Sequence, residues 1–127
     1  MELIRLLLAD DNADFRATVL HFLRSQPGLA VIGQAADGRA AVAQTRRLRP
    51  DVVLMDVGMP GISGFEATRL IGRDTPSARV VMLLPMISEE YRTAARAYGA
   101  AASVAKERLD EDLIPAIVAA ASTSRLS

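Results

Sequence analysis

Apolar residues along this chain fall into two alternating kinds of segment: short near-continuous runs, and longer stretches with helical spacing. The first run, Leu3 to Ala9, is broken only by Arg5 and ends abruptly at Asp10-Asp11. A run of that length without a polar face predicts a strand buried on both sides of a parallel sheet. Asp14 to Ser25 places Phe15, Val19, Phe22 and Leu23 on one helical stripe, which stops before Pro27-Gly28. Leu29 to Ala35 predicts a second strand, and Asp37-Gly38 opens a second helix that ends near Arg49. Asp51 to Met55 predicts a third strand, ending on Asp56. After the loop Gly58-Met59-Pro60-Gly61, the segment Ser63-Gly64-Phe65-Glu66 has the S-x-x-E form of a capping box and predicts a helix start. Arg79 to Leu84 predicts the fourth strand. Ser88 and Glu89-Glu90 begin a helix with an inner stripe of Tyr91, Ala94, Ala95 and Tyr98, stopped by Gly99. Ala101 to Ala105 predicts a short fifth strand ending on Lys106. The last helix is predicted from Asp112 to Ala121, with Pro115 in a first turn whose amides need no helical acceptor.

Strict alternation of strands and helices implies the α/β class, a parallel sheet covered on both faces with right-handed crossovers. In such sheets the site lies at the carboxyl ends of the strands, near a switch in strand order. The 127 residues suffice for one domain. Residues 1–121 are expected to form it, with 122–127 a polar tail or the start of a linker. Half of the residues are apolar, too many for a disordered tail. No apolar run reaches the roughly 20 residues that span a bilayer. The start, MELIRLLLAD, lacks the basic flank and cleavage site of a signal peptide. Absence of cysteine removes disulfides and thiol-bound metals, and together these features predict a cytoplasmic location without membrane contact. Fifteen basic and fifteen acidic residues balance, which argues against direct nucleic-acid binding by this domain. Arg46, Arg47 and Arg49 read as the solvated end of a helix, where cations suit the dipole.

Three predicted strands end in charge: Asp10-Asp11, Asp56 and Lys106. Their carboxyl ends share one edge of the sheet, so three carboxylates and one ammonium should converge. Two like charges about 4 Å apart cost on the order of 4 kcal/mol at an effective dielectric of about 20. Either one carboxylate stays protonated, or a divalent cation offsets the surplus. Oxygen-only ligands favour Mg²⁺ over zinc or copper. A carboxylate beside a metal and a lysine is also equipment for accepting a phosphoryl group, with Asp56 as nucleophile and Lys106 holding the phosphoryl oxygens. Each aspartate alone has a plainer reading: Asp10 and Asp11 as helix caps, Asp56 as a turn residue. Their joint placement at strand ends favours the chemical one. Lys106 is the only lysine in an arginine-rich chain, and a compact ammonium is not interchangeable with a guanidinium.

The segments LLADDNADFR, VIGQAADGRAAV, RPDVVLMDVGMPGISGFEAT and EEYRTAARAYGAA, with Lys106 beyond them, resemble the receiver domain of two-component response regulators over nearly the whole chain. The resemblance is greatest to receivers of helix-turn-helix transcription regulators. It implies a flavodoxin-like, doubly wound (βα)5 fold of strand order 2-1-3-4-5. It implies Asp56 as phosphoacceptor, and Mg²⁺ held by Asp11, Asp56 and the Gly58 carbonyl, with Asp10 acting through water. Lys106 would bridge to the phosphoryl oxygens. The implied partner is a sensor histidine kinase, and any DNA contact would come from a domain outside this chain. The implied role is regulatory rather than enzymatic, the domain assisting only its own phosphoryl transfer and dephosphorylation. Related receivers commonly dimerise through the fourth helix, fifth strand and fifth helix, which here carry many alanines between Tyr91 and Ala121.

Two positions depart from the pattern. Receivers usually end the fourth strand on Thr or Ser, whose hydroxyl binds the phosphoryl group; that position is Leu84, and no hydroxyl residue lies between Ser77 and Ser88. An aromatic residue usually stands three positions before the lysine, where this chain has Ser103. These departures favour an alternative, an atypical receiver acting as a phosphorylation-independent protein-binding module. A flavin carrier of the same architecture would need its first loop to cradle phosphate, and Asp10-Asp11-Asn12-Ala13-Asp14 repels it. A haloacid-dehalogenase-type phosphatase would need an acid where Gly58 stands.

Overall fold

The computed structural model describes residues 2–126. Strands β1 (Ile4–Ala9), β2 (Leu29–Ala35), β3 (Val52–Asp56), β4 (Arg79–Leu84) and β5 (Ala102–Ala105) alternate with helices α1 (Ala13–Arg24), α2 (Gly38–Leu48), α3 (Gly64–Asp74), α4 (Glu89–Ala97) and α5 (Leu109–Leu126). All strand pairs are parallel, in the order β2-β1-β3-β4-β5. This is the flavodoxin-like arrangement, and its switch in strand order falls between β1 and β3.

Period-two alternation sorts the strand residues between two cores. Leu6 and Leu8, Val52 and Leu54, Val81 and Leu83, and Val104 meet Val19, Leu23, Leu113 and Ile117, so α1 and α5 cover one face. Leu7, Val53, Met55, Val80, Met82 and Leu84 meet Ala41, Ala67, Ile71 and Ala95 on the opposite face, under α2, α3 and α4. Both sides of β3, of β1 from Leu6 and of β4 from Val80 are buried, which explains their near-continuous apolar runs. Burial of one such leucine stabilises the fold by about 1.5–3 kcal/mol.

Side-chain oxygens of Asn12, Asp37, Ser63 and Ser88 each accept the amide two or three residues into α1, α2, α3 and α4. The capping box at α3 forms only in half: Ser63 accepts from Glu66, but the Glu66 carboxylate turns to Arg69. At the far end of α2, Arg49 adopts a left-handed conformation, and the Arg5 guanidinium donates to the Leu48 and Arg49 carbonyls at 2.8 and 2.7 Å. Arg46 makes a two-pronged pair with Asp74 of α3.

The expected boundaries change at the last helix. The chain passes from β5 through a 3-10 turn, Lys106–Arg108, straight into α5 at Leu109 rather than Asp112. Asp110, Glu111 and Asp112 occupy its first turn, where acids suit the dipole. Pro115 therefore lies inside the helix, not in its first turn, on an exposed side. The helix continues past Ala121 to Leu126, through residues expected as a polar tail; Ser127 lies outside the described residues. Tyr98, expected on the inner stripe of α4, is the C-terminal cap and is 39% exposed. Its ring packs on Phe65, which also stacks on Tyr91.

Candidate functional site

Alternation continued past the strand ends aims three charged side chains the same way. Asp10 follows the parity of Leu6 and Leu8, Asp56 that of Val52 and Leu54, and Lys106 that of Val104. All three therefore emerge on the side of α1 and α5, at the carboxyl edge of the sheet. The Lys106 ammonium lies 3.0 Å from Asp10 Oδ2 and 2.9 Å from Asp56 Oδ1. Carboxylate oxygens of Asp10, Asp11 and Asp56 lie within 4.8 Å of one another. Asp10 is fully buried, Asp56 nearly so, and Asp11 is exposed. Gly58 is exposed in the loop two residues beyond Asp56.

The surrounding backbone holds these groups in place. The Asn12 N–H donates to Asp10 Oδ1 at 2.9 Å, and the Arg16 guanidinium donates to the Asp10 carbonyl. The α3 N-terminus presses on the strand end that carries Asp56: Gly64 N–H donates to the Val57 carbonyl at 2.8 Å. A side chain at Gly64 would collide with the Asp56 carbonyl, so only glycine allows that approach.

Burial pushes the Asp56 carboxyl above its ordinary value, and the neighbouring Asp10 and Asp11 charges add to the rise. Its bond to Lys106 opposes the shift without cancelling it. Burial works against the Lys106 charge, but bonds to Asp56 and Asp10 outweigh it, so the ammonium is held above its ordinary value. A carboxylate surplus thus persists beside a firmly charged lysine. Oxygen donors of that number and spacing fit a hard divalent cation with room for water.

Sequence reasoning placed Asp10, Asp11, Asp56 and Lys106 together, and the structure brings them together. It missed the seat of the lysine. The Lys106 ammonium lies 4.2 Å from the centre of the Phe15 ring, a cation–π contact that steers it over the acids. Phe15 read only as an inner residue of the first helix, although its place one turn after the acid pair was a usable signal. At the departing positions, Leu84 is buried with Met82 and Ala95, and Ser103 borders a cavity of about 230 Å³ also lined by Ile87, Arg92, Val104 and Arg108.

Residues 6–118 match the response regulator receiver domain family. The chain belongs to that family. This receiver domain is 39% identical over 118 residues to the transcriptional regulatory protein YxjL of Bacillus subtilis, covering 93% of this chain and 54% of that protein. It is 38% identical over 115 residues to the response regulator GacA of Pseudomonas aeruginosa, covering 91% of this chain and 54% of GacA. It thus spans about half the length of the curated relatives it matches. Among solved structures, the response regulator domain of Thermotoga maritima CheB superposes with a TM-score of 0.89 at 32% identity, over 95% of this chain and 98% of that one. The family is regulatory, and its receivers typically bind Mg²⁺ at an acidic pocket of this kind. Among the described residues of this receiver, no helix is long and apolar enough to cross a membrane.

Proposed function

We propose that this receiver accepts a phosphoryl group on Asp56 from a sensor histidine kinase in the cytoplasm and passes the signal to an output module or partner protein. The observation that carries the reading is the chain's only lysine bonded to both Asp56 and Asp10 inside a cluster of three carboxylates. Asp56 Oδ attacks the phosphorus of the kinase's phosphohistidine in line with the P–N bond, which breaks as the O–P bond forms and releases the imidazole, and Lys106 exchanges a carboxylate contact for the incoming phosphoryl oxygens. Asp11, Asp56 and the Gly58 carbonyl would hold Mg²⁺, with Asp10 acting through water. Bound Mg²⁺ would offset the negative charge gathered on the transferred group. The output module, by resemblance a helix-turn-helix DNA-binding domain, would lie outside this chain.

Incubation with acetyl phosphate and Mg²⁺, followed by intact-mass measurement, tests this. The expected result is one added phosphoryl group, absent from Asp56→Asn. No modification of the wild type under conditions that label another receiver would overturn the reading. The second reading, a phosphorylation-independent binding module, is favoured by Leu84 being buried without a hydroxyl and by Ser103 standing at an open cavity.

A further inference from the structure

The loop between β4 and α4 is tied to the turn that carries Lys106. The Ile87 N–H donates to Glu107 Oε1 at 2.9 Å, and Glu107 follows Lys106 in the 3-10 turn Lys106–Arg108. Lys106 itself contacts Asp10 and Asp56. One short turn therefore grips the acid pocket with one side chain and the loop with the next. Beyond the backbone pairing of Leu84 with Ala105, no side chain of β4 offers a comparable tie. No hydroxyl residue lies between Ser77 and Ser88, Leu84 is buried in the core, and the Ser88 hydroxyl oxygen accepts from the Tyr91 amide as the α4 cap. The loop exposes Met86 by 54% and Ile87 by 59%, so its position governs the apolar surface beside the site. Ile87 also borders the cavity next to Ser103.

We infer that Glu107 is a positioning residue that couples the occupancy of the acid pocket to the β4–α4 loop through the turn it shares with Lys106. The coupling rests on the phosphoacceptor reading for what fills the pocket; the tether rests on its own bond. A ligand shifts an equilibrium only through contacts that differ between the two states. Lys106 changes partners when a phosphoryl group arrives, and the adjacent Glu107 carries the displacement to the Ile87 amide. A carboxylate accepting a backbone N–H is among the stronger hydrogen bonds, so the loop follows the turn.

Amide exchange and resonance positions test this on the full chain, comparing wild type with Glu107→Ala, Glu107→Gln and Lys106→Met. Glu107→Ala should speed exchange at Ile87 about tenfold or more, as loss of a bond to a charged group implies. Glu107→Gln, which keeps an acceptor oxygen, should restore most of the protection, and sheet amides such as Leu7 and Val53 should not change. Lys106→Met should displace the Ile87 resonance without any added ligand. With Mg²⁺ and beryllofluoride, wild-type shifts should extend to residues 86–88. Glu107→Ala should keep the shifts beside Asp56 and lose those at 86–88. Equal Ile87 exchange in wild type and Glu107→Ala overturns the tether. An Ile87 resonance indifferent to Lys106→Met, or a full response in Glu107→Ala, overturns the coupling. Failure of beryllofluoride to bind any of the proteins counts against the phosphoacceptor reading alone, and Lys106→Met then decides the coupling.

Discussion

Asp56 is held in a setting that disfavours its own charge. Its folded carboxyl ionises at higher pH than a free one, because burial and two acidic neighbours outweigh the Lys106 bond. The unfolded chain therefore loses this proton first as pH rises. Stability contributed by Asp56 falls through the interval between the two pKa values and is constant above it. Lys106 has the opposite position: its contribution is full below the ordinary lysine value and fades only as pH rises through the higher folded one. In metal-free buffer, Asp56→Asn should match wild type at low pH and exceed it near neutrality, where the wild-type carboxylate is ionised against burial and two acidic neighbours. Urea melts across pH measure the difference, and a wild type more stable than Asp56→Asn at neutral pH would contradict it. Mg²⁺ should reverse the order by binding only the folded wild type tightly. Titration of Asp11→Asn with Mg²⁺ should show affinity weakened about tenfold or more, as losing one carboxylate from a hard-cation site implies; equal affinity would remove Asp11 from the site.

Among the elements, β1, β3 and β4 are legible because their central residues are buried on both faces and, Arg5 and Arg79 at the entrance apart, are apolar up to the strand end. The charged ends of β1 and β3 are legible for the same reason, since an acid directly after such a run stands at the carboxyl edge of the sheet. The last helix differs from its expected bounds because its two strongest local cues mislead: Pro115 resembles a first-turn residue, and residues 122–127 resemble a tail. The preceding 3-10 turn supplies the true start, and the acids Asp110, Glu111 and Asp112 of the first turn are the local mark of it. Contacts such as Lys106 on Phe15 and Glu107 on Ile87 join segments distant in sequence, so only the assembled fold shows them. The end of β4 unites both kinds of information. Sequence flags Leu84 as lacking a hydroxyl, and the structure adds that it is 1% exposed and packed with Met82 and Ala95. Leu84→Thr should therefore destabilise the domain by about 2–4 kcal/mol, through lost packing and a buried hydroxyl. It should also enlarge the response of residues 84–106 to beryllofluoride, because one charge-assisted bond made only in the occupied state is worth roughly 1.5–3 kcal/mol. Thermal melts and amide spectra read the two effects separately. An equal spectral response in wild type and Leu84→Thr would show that Leu84 is no obstacle to switching.

At the scale of the whole molecule, we propose the face built from α4, β5 and α5 as the docking surface for a second copy of the chain. Its alanines divide by role: Ala95, Ala105, Ala120 and Ala121 are buried in the domain, whereas Ala97 and Ala101 are exposed and permit close approach. Val118 adds an apolar side chain that is 47% exposed. Both signs of charge lie on the same face, Arg92 and Arg96 beside Glu89, and Arg108 beside Glu111 and Asp112. A two-fold axis through such a face can set the arginines of one copy against the acids of the other. These exposed pairs contribute little within one chain, each worth about 0–1 kcal/mol, so the arginines are free to change partners at low cost. Reversal of Arg92, Arg96 and Arg108 to glutamate should leave the fold intact, because all three side chains are at least 44% exposed. The same reversal would place like charges across the axis and weaken a dimer about tenfold or more, since each opposed pair costs on the order of 1 kcal/mol. Light scattering across a concentration series, with and without Mg²⁺ and beryllofluoride, measures this. A dimer of undiminished affinity in the triple variant would move the self-association surface to another face of the domain.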